Sequence, residues 1–261
     1  MSDDGKKLGN YTTKITAAND EQLEFRTKLW ELRSNNPLPE AELERNPALF
    51  LRSSLLSRIL TVADVYKQIV DVPGVILDLG CWWGQNSVLF ENLRAIYEPF
   101  NKQRKIVSFD SFEGYTNWSD KDIKSDVFHE NTYATGASYE EFLKTLLETH
   151  EGLNNLGHQR GIHEIVKGDA TKTVSGYLTQ NPETIVALAA FDLGLYEPTK
   201  AVLETIKPHL VPGSVLWMIH LTRKDLRGDG KAFLEVMKGV KYKLHKCPHY
   251  PSMSVAQILE T

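Results

Sequence analysis

The chain of 261 residues is 41% hydrophobic and 25% charged, and its formal net charge is −4. This composition is typical of a globular protein with one α/β core, and the slight acidic excess argues against a surface that binds nucleic acid. No apolar run approaches the roughly 20 residues of a membrane span, so we expect no membrane contact. The polar N-terminus does not resemble a signal peptide, and two cysteines cannot build a disulfide framework or a zinc cluster. We therefore expect a cytoplasmic protein.

Two helices are predicted before the first strand. Apolar residues recur at helical spacing over 21–33 and again over 49–70, and the Asn- and Pro-rich stretch 35–39 separates the two runs. The second run is amphipathic, so we expect it to pack on a sheet. Residues 1–70 are therefore assigned to an N-terminal tail and helical segment, and 71–261 to the domain that follows.

From residue 75 onward, apolar runs of strand length alternate with helical patterns. The predicted strands cover 75–79, 105–110, 162–166, 184–191, 214–219, 241–246 and 254–259. The main helices between them are predicted at 87–97, 197–210 and 231–238. In the last two predicted strands apolar and polar residues alternate, and a turn-rich segment lies between them. This pattern indicates an antiparallel hairpin. The pattern predicts a Rossmann-like α/β fold with a mostly parallel seven-stranded sheet, which is the layout of class I methyltransferases.

The connection between the second and third predicted strands is far longer than a crossover requires. It spans 112–161 and contains one helical pattern at 139–150. We interpret this insertion as a lid or as a wall of an acceptor site, because long loops beside a crevice frequently carry function.

A glycine loop follows the first predicted strand. Gly80 and Gly84 stand after the acidic strand residue Asp78 and before a helix, and Trp82 lies between them. The Gly-x-x-x-Gly spacing differs from the Gly-x-Gly-x-x-Gly fingerprint of dinucleotide-binding proteins, which disfavours a nucleotide-dependent oxidoreductase. We interpret it as a loop for S-adenosylmethionine, with an ordinary strand–turn–helix as the alternative.

Acidic residues end several strands, where ligands bind in an open α/β sheet. Asp110 is expected to accept hydrogen bonds from both ribose hydroxyls of the cofactor, and Asp169 to accept one from its adenine amine. Phe112 and Ala170 are placed beside the adenine ring, and Ser111 joins them as a cofactor contact. Helix capping is the alternative role for each acid.

Two further residues are assigned to the methionine end of the cofactor. Asp78 lies near it and has the alternative role of ordering the glycine loop. Arg58, on the second predicted helix, could bind the methionine carboxylate through two hydrogen bonds, and a position exposed to solvent is its alternative.

Four blocks of the chain resemble the macrocin O-methyltransferase family, which methylates sugars and related natural-product acceptors. They are 74–87, 108–114, 191–199 and 210–213. The most specific is Phe-Asp-Ser-Phe-Glu-Gly at 109–114, within a resemblance that covers roughly 50–240. The resemblance implies that Gly80, Asp110 and Asp169 contact the cofactor, and that the protein associates as a dimer or higher oligomer.

The chain departs from the family at the expected magnesium site. The family pattern after the fourth strand is Asp-x-Asp-x-Tyr, and an acidic pair follows the fifth strand. Here Asp192 keeps the first acid, but Gly194 replaces the second, and Ile219 and His220 replace the pair. One carboxylate and one imidazole are poor ligands for Mg²⁺, so we expect no metal. His220 and Asp192 become the predicted catalytic residues, and Asp192 is also assigned to the cofactor-binding residues. His220 is the predicted general base, with a purely structural histidine as the alternative.

These features predict a methyltransferase that acts on a hydroxyl or amine of a small molecule. The alternative is a protein that binds S-adenosylmethionine without transferring its methyl group, or that uses it for a non-methylating reaction. His129 is a weaker candidate for the base. Aromatic residues that could line an acceptor pocket are Trp82, Trp83, Trp118, Tyr133 and Tyr196.

Overall fold

The computed structural model describes residues 7–8, 11–12, 19–124, 128–136, 138–154 and 161–260. Most of the predicted N-terminal tail, and positions 125–127, 137 and 155–160 of the predicted insertion, lie outside these residues. Contacts divide the chain into two compact units, Met1–Leu56 and Ser57–Thr261. The boundary that we predicted near residue 70 stays a prediction for the domain organisation.

The first unit combines two-residue strands with helices of 15 and 6 residues. It holds the paired strands β1 (Lys7–Leu8) and β2 (Tyr11–Thr12), helices α1 (Asp20–Ser34) and α2 (Glu40–Arg45), and a 3₁₀ turn at Pro47–Phe50. A capping box begins α1: the Asn19 side chain accepts a hydrogen bond from the Gln22 amide, and the Gln22 side chain accepts one from the Asn19 amide. No residue within the described range 19–46 is buried.

Helix α3 (Ser53–Lys67) is the predicted amphipathic helix. It buries Val62, Val65 and Tyr66 in a cluster with residues of the sheet, as expected. It is shorter than the predicted 49–70, because the chain turns after Lys67 with hydrogen bonds such as Ile69 N–H to the Tyr66 carbonyl, which span only three residues.

The second unit contains a seven-stranded sheet. Its strands are β3 (Val75–Leu79), β4 (Ile106–Asp110), β5 (Glu164–Lys167), β6 (Val186–Phe191), β7 (Leu210–Met218), β8 (Lys241–Lys246) and β9 (Ser254–Glu260). Their order across the sheet is β5-β4-β3-β6-β7-β9-β8, with the first five parallel and β9 antiparallel between β7 and β8. This arrangement confirms the predicted fold class. The strand order reverses between β3 and β6, which is where α/β sheets open a crevice for ligands.

Helices cover both faces of the sheet. They are α4 (Gln85–Tyr97), α5 (Tyr139–Leu153), α6 (Ala170–Gln180), α7 (Tyr196–Ile206) and α8 (Gly228–Val236). Helix α6 was not predicted, because its threonines, serine and glycine have weak helix propensity and its start depends on the Asp169 cap. Strand β7 was predicted to begin at 214, but it begins at Leu210 and continues through Pro212 and Gly213, at an irregularity in its pairing with β6.

Two hydrophobic cores lie on opposite faces of the central strand β6, all of whose residues are buried. Phe191 of this strand belongs to the cluster that includes α6 and α7. Leu188 belongs to the cluster that includes α3 and α4. Because β6 is covered on both faces, its residues are apolar without alternation. The strand was therefore predicted from the length of the apolar run and not from a period of two.

Arg104 is buried at the amino-terminal end of the parallel strands β3 and β4, with 1% of its surface exposed. Its guanidinium donates to both carboxylate oxygens of Glu98, at 2.9 and 3.0 Å, and to the carbonyls of Ile69, Val72 and Gly74. It therefore links the end of α4 to the segment that leads from α3 into β3.

We expect Arg104→Ala to reduce the free energy of unfolding by about 3–5 kcal/mol, because it leaves the buried Glu98 carboxylate without its cation. Urea denaturation monitored by circular dichroism measures this loss. The matched control is Arg45→Ala, which removes a solvent-exposed pair with Glu42 and should cost less than about 1 kcal/mol. Similar small losses in both variants would contradict the assigned role of Arg104.

Candidate active site

A cavity of about 550 Å³ opens at the carboxyl ends of the parallel strands, beside the reversal of strand order. Nine of the residues predicted to act in cofactor binding or catalysis line it: Arg58, Gly80, Trp82, Asp110, Ser111, Asp169, Ala170, Asp192 and His220. The structure therefore brings together residues from α3, the glycine loop and the ends of four strands.

At both glycines of the loop, a side chain would collide with other residues of the chain. Gly80 has a φ of +81°, and a Cβ there would lie 2.6 Å from the carbonyl oxygen of Asp192. Gly84 caps α4 with a φ of +74°, and a Cβ would lie 2.1 Å from Leu143 of α5. Both glycines were predicted to let the backbone approach a ligand, but Gly84 does not line the cavity and is needed because α5 packs against the loop.

Asp110 is held in place by two backbone amides. Its Oδ2 accepts a hydrogen bond from Trp82 N–H and its Oδ1 one from Phe112 N–H, each at 2.7 Å. Both donors belong to residues with positive φ, +52° for Trp82 and +60° for Phe112, a conformation that costs energy for large side chains. Burial raises the pKa of Asp110, and the two amides oppose that rise. The carboxylate is thus positioned in advance, with acceptor capacity left on each oxygen.

Besides Gly84, two predicted cofactor contacts do not line the cavity, Phe112 and Asp78. The Phe112 ring packs with Cys81 and Leu143 in a small hydrophobic cluster, so only its amide serves the site, through Asp110. Asp78 is fully buried and accepts a hydrogen bond from the Ser87 hydroxyl at 2.6 Å, while burial raises its pKa to about 6. Asp78 therefore joins β3 to the first turn of α4, in line with its alternative role of ordering the loop.

Asp169 occupies a helix cap at the edge of the cavity. Its Oδ1 accepts hydrogen bonds from the amide and the hydroxyl of Thr171, at 3.0 and 2.8 Å, so it caps α6. Asp169 and Ala170 both line the cavity. The predicted adenine contact and its capping alternative are therefore compatible, because Oδ1 serves the cap and Oδ2 remains.

Asp192 and His220 form a hydrogen-bonded pair where β6 and β7 end. His220 Nε2 lies 2.7 Å from Asp192 Oδ1, and Arg58 Nη2 lies 3.5 Å from Asp192 Oδ2. Burial acts to raise the pKa of Asp192, but the hydrogen bond and charge of His220, together with Arg58, outweigh it, and the pKa lies below its ordinary value. His220 Nδ1 and Arg58 Nε are both buried, and among the described residues none hydrogen-bonds to either atom.

Aromatic side chains form much of the remaining wall. Trp82, Trp83 and Tyr133 line the cavity as predicted. Tyr196 does not, because its ring is buried and its hydroxyl donates to Glu235. Of the other candidates, Trp118 does not line the cavity, and His129 is exposed outside it.

Tyr115 and Arg223 are among the cavity residues that were not predicted from the sequence. Tyr115 directly follows the block at 109–114, and that proximity was the available signal. Arg223 gave no signal, because it follows β7 in a segment without a readable motif. Its guanidinium donates to both carboxylate oxygens of Asp225 and lies 5.3 Å from the centre of the Phe128 ring.

The residues present do not fit the magnesium site of the family. In the part of the chain that the structure describes, no group of three or more His, Cys, Asp or Glu side chains could hold a metal ion. Gly194 has a φ of +71°, and a Cβ there would lie 2.7 Å from the Tyr115 hydroxyl oxygen, so an acidic side chain would require Tyr115 to move. Metal independence stays a prediction.

None of the helices within the described ranges has both the length and the apolar character needed to cross a bilayer.

The strand order and the cavity lined by the glycine loop and acidic residues define a class I methyltransferase, which uses S-adenosylmethionine. The chain is 35% identical to the calicheamicin methyltransferase CalS11, with a TM-score of 0.87 over 95% of this chain and 97% of that chain. The apo structure of CalS11, described as a TDP-rhamnose 3'-O-methyltransferase in calicheamicin biosynthesis, gives 35% identity and a TM-score of 0.80 over 93% and 96%. This protein belongs to the natural-product sugar O-methyltransferases related to macrocin O-methyltransferase.

A more distant comparison agrees on the fold. The O-methyltransferase NovP is 14% identical, with a TM-score of 0.56 over 78% of this chain and 80% of that chain. Neither a protein-family model nor a curated protein matches the sequence. The predicted family, fold class and cofactor are confirmed by the CalS11 structures, and the protein is an S-adenosylmethionine-dependent O-methyltransferase.

Proposed function

We propose that this protein methylates a hydroxyl of a deoxysugar carried on a nucleotide, and that His220 removes the proton of that hydroxyl. The observation that carries the proposal is the 2.7 Å hydrogen bond between His220 and Asp192 at the wall of the cavity. The proposed acceptor class, a sugar nucleotide, is that of CalS11, a TDP-rhamnose 3'-O-methyltransferase to which this protein is similar along almost its whole chain.

The cofactor, when bound, supplies the methyl group. We propose that Asp110 accepts hydrogen bonds from its ribose hydroxyls and that Asp169 and Ala170 hold its adenine. Arg58 is placed at the methionine carboxylate, and the support is its buried Nε, which has no partner among the described residues and can donate to an anion. Gly80 keeps the loop backbone close to this end of the cavity.

The proton route follows from the donors and acceptors of the pair. The ionised Asp192 carboxylate can only accept, so His220 Nε2 carries the hydrogen, and Nδ1 keeps a lone pair. His220 Nδ1 accepts the proton of the acceptor hydroxyl, and Asp192 stabilises the resulting imidazolium. Asp192 thereby acts as a positioning residue for His220. When bound, S-adenosylmethionine would supply the methyl group from its sulfonium, whose carbon–sulfur bond would break as the carbon–oxygen bond forms, with S-adenosylhomocysteine as the leaving group.

The insertion at 112–161 supplies the proposed acceptor wall. Tyr115 and Tyr133 line the cavity beside Trp82, and aromatic side chains of this kind can pack against a sugar ring. Arg223 lines the same cavity and is paired with Asp225 through Nε and Nη2, so its remaining N–H groups can donate to the diphosphate of a sugar nucleotide. We also propose a cytoplasmic homo-oligomer that does not bind nucleic acid; the family resemblance and the formal charge of −4 support this.

The decisive assay incubates the protein with S-adenosylmethionine and either TDP-rhamnose or free rhamnose, with and without EDTA, and detects the methylated sugar by mass spectrometry. We expect product from TDP-rhamnose and no effect of EDTA, because Asp192 is engaged by His220 and Arg58, and Gly194 offers no ligand. Inhibition by EDTA that magnesium reverses would contradict the metal-free mechanism. If neither TDP-rhamnose nor free rhamnose is methylated, the proposed acceptor is wrong.

A further inference from the structure

The Tyr115 side chain reaches into the active-site cavity next to the Asp192–His220 pair. Its hydroxyl oxygen lies 2.7 Å from the position that a Cβ of residue 194 would occupy, in the space above Gly194. Tyr115, Asp192 and His220 all line the same cavity. The hydroxyl therefore stands where a side chain from position 194 would otherwise project.

The backbone and the ring of Tyr115 are both fixed. Its N–H donates to the Thr132 carbonyl at 3.1 Å, and its own carbonyl accepts from Asn131 N–H at 3.0 Å. The ring makes edge-to-face contacts with Trp118 and Tyr133, at centroid distances of 5.9 and 5.6 Å. A side chain held in this way positions its hydroxyl without further ordering when a ligand binds.

The hydroxyl itself is not used by the protein. Among the described residues, none hydrogen-bonds to it, although its ring is packed in the cavity wall. Burial, with the negative charge of Asp192, raises the pKa of Tyr115 well above its ordinary value, so the group is a neutral O–H donor at any working pH. Tyr115 is half-buried and lines the cavity, so a ligand in the cavity can reach the hydroxyl and accept its hydrogen bond.

We infer that the Tyr115 hydroxyl donates a hydrogen bond to the acceptor oxygen that receives the methyl group, and so orients that oxygen between the methyl carbon and His220. The inference rests on the proposed function. An alcohol oxygen has one proton, which goes to His220, and two lone pairs. One lone pair forms the new bond to carbon, and the other accepts from Tyr115, whose own proton is not transferred.

The test compares Tyr115→Phe with wild type in the TDP-rhamnose assay. The variant keeps the ring and its packing and removes only the hydroxyl. We expect kcat/KM to fall about tenfold, the effect of one neutral hydrogen bond, while S-adenosylhomocysteine affinity and the shape of the pH profile stay as in wild type. Tyr177→Phe is the matched control, because Tyr177 is a buried tyrosine of α6 outside this cavity.

Three results would overturn the inference. The first is a Tyr115→Phe enzyme whose kcat/KM stays within twofold of wild type, which would leave the proposed function intact. The second is an equal loss in Tyr177→Phe, which would make the effect unspecific. The third is a wild type that methylates no sugar nucleotide, which would remove the proposed function and this assignment together.

Discussion

His220→Ala should lower kcat by about 10²–10⁴-fold, the usual contribution of a general base to proton transfer. The pair of His220 with Asp192 is the reason, since the 2.7 Å hydrogen bond leaves Nδ1 as the proton acceptor. S-adenosylhomocysteine binding, measured by calorimetry, should remain close to that of wild type, because Asp110 and Asp169 lie at the ends of other strands and Arg58 contacts Asp192 rather than His220.

The control for this prediction is His129→Ala. His129 is an exposed histidine in the insertion and was the weaker candidate for the base, so its loss should leave kcat unchanged. Asp192→Asn should also reduce kcat, because a neutral amide cannot stabilise the imidazolium. A His220→Ala enzyme that retains wild-type kcat would show that another group takes the proton.

Asp110→Ala should weaken S-adenosylhomocysteine binding by more than 100-fold. Each hydrogen bond from a ribose hydroxyl to the charged carboxylate is expected to contribute about 1.5–3 kcal/mol. The structure adds a second cause. The same carboxylate accepts the amides of Trp82 and Phe112, both at positive φ, so its removal also releases the glycine loop and the turn after β4.

A thermal-shift titration measures this effect. At a hundredfold excess over its Kd, the ligand stabilises wild type by about 2.7 kcal/mol, and Asp110→Ala should lose most of that gain. Glu113→Ala is the matched control, because it removes an exposed carboxylate from the same turn. If the stabilisation is unchanged in Asp110→Ala, the adenosine does not bind at this strand end.

Local patterns predicted most of the elements that support the site. The apolar run of β6 and the glycine loop after β3 were readable because burial and tight turns impose residue types within a few positions. Helix α6 was not predicted, since its residues have weak intrinsic preference and its stability comes from the Asp169 cap and from packing of Val174 and Leu178 in the core. Tertiary contacts outweighed propensity there.

The sequence by itself determined the strand-end acids, the glycine spacing and the replacement of the second acid by Gly194, because each is a property of neighbouring residues. Only the tertiary structure decided that His220 meets Asp192, 28 positions away, and that Tyr115 fills the space above Gly194. It also turned the Phe112 ring away from the cavity while using its amide. Such pairings depend on how strands and insertion pack in three dimensions, and periodicity along one segment carries no information about the partner that a distant segment will bring.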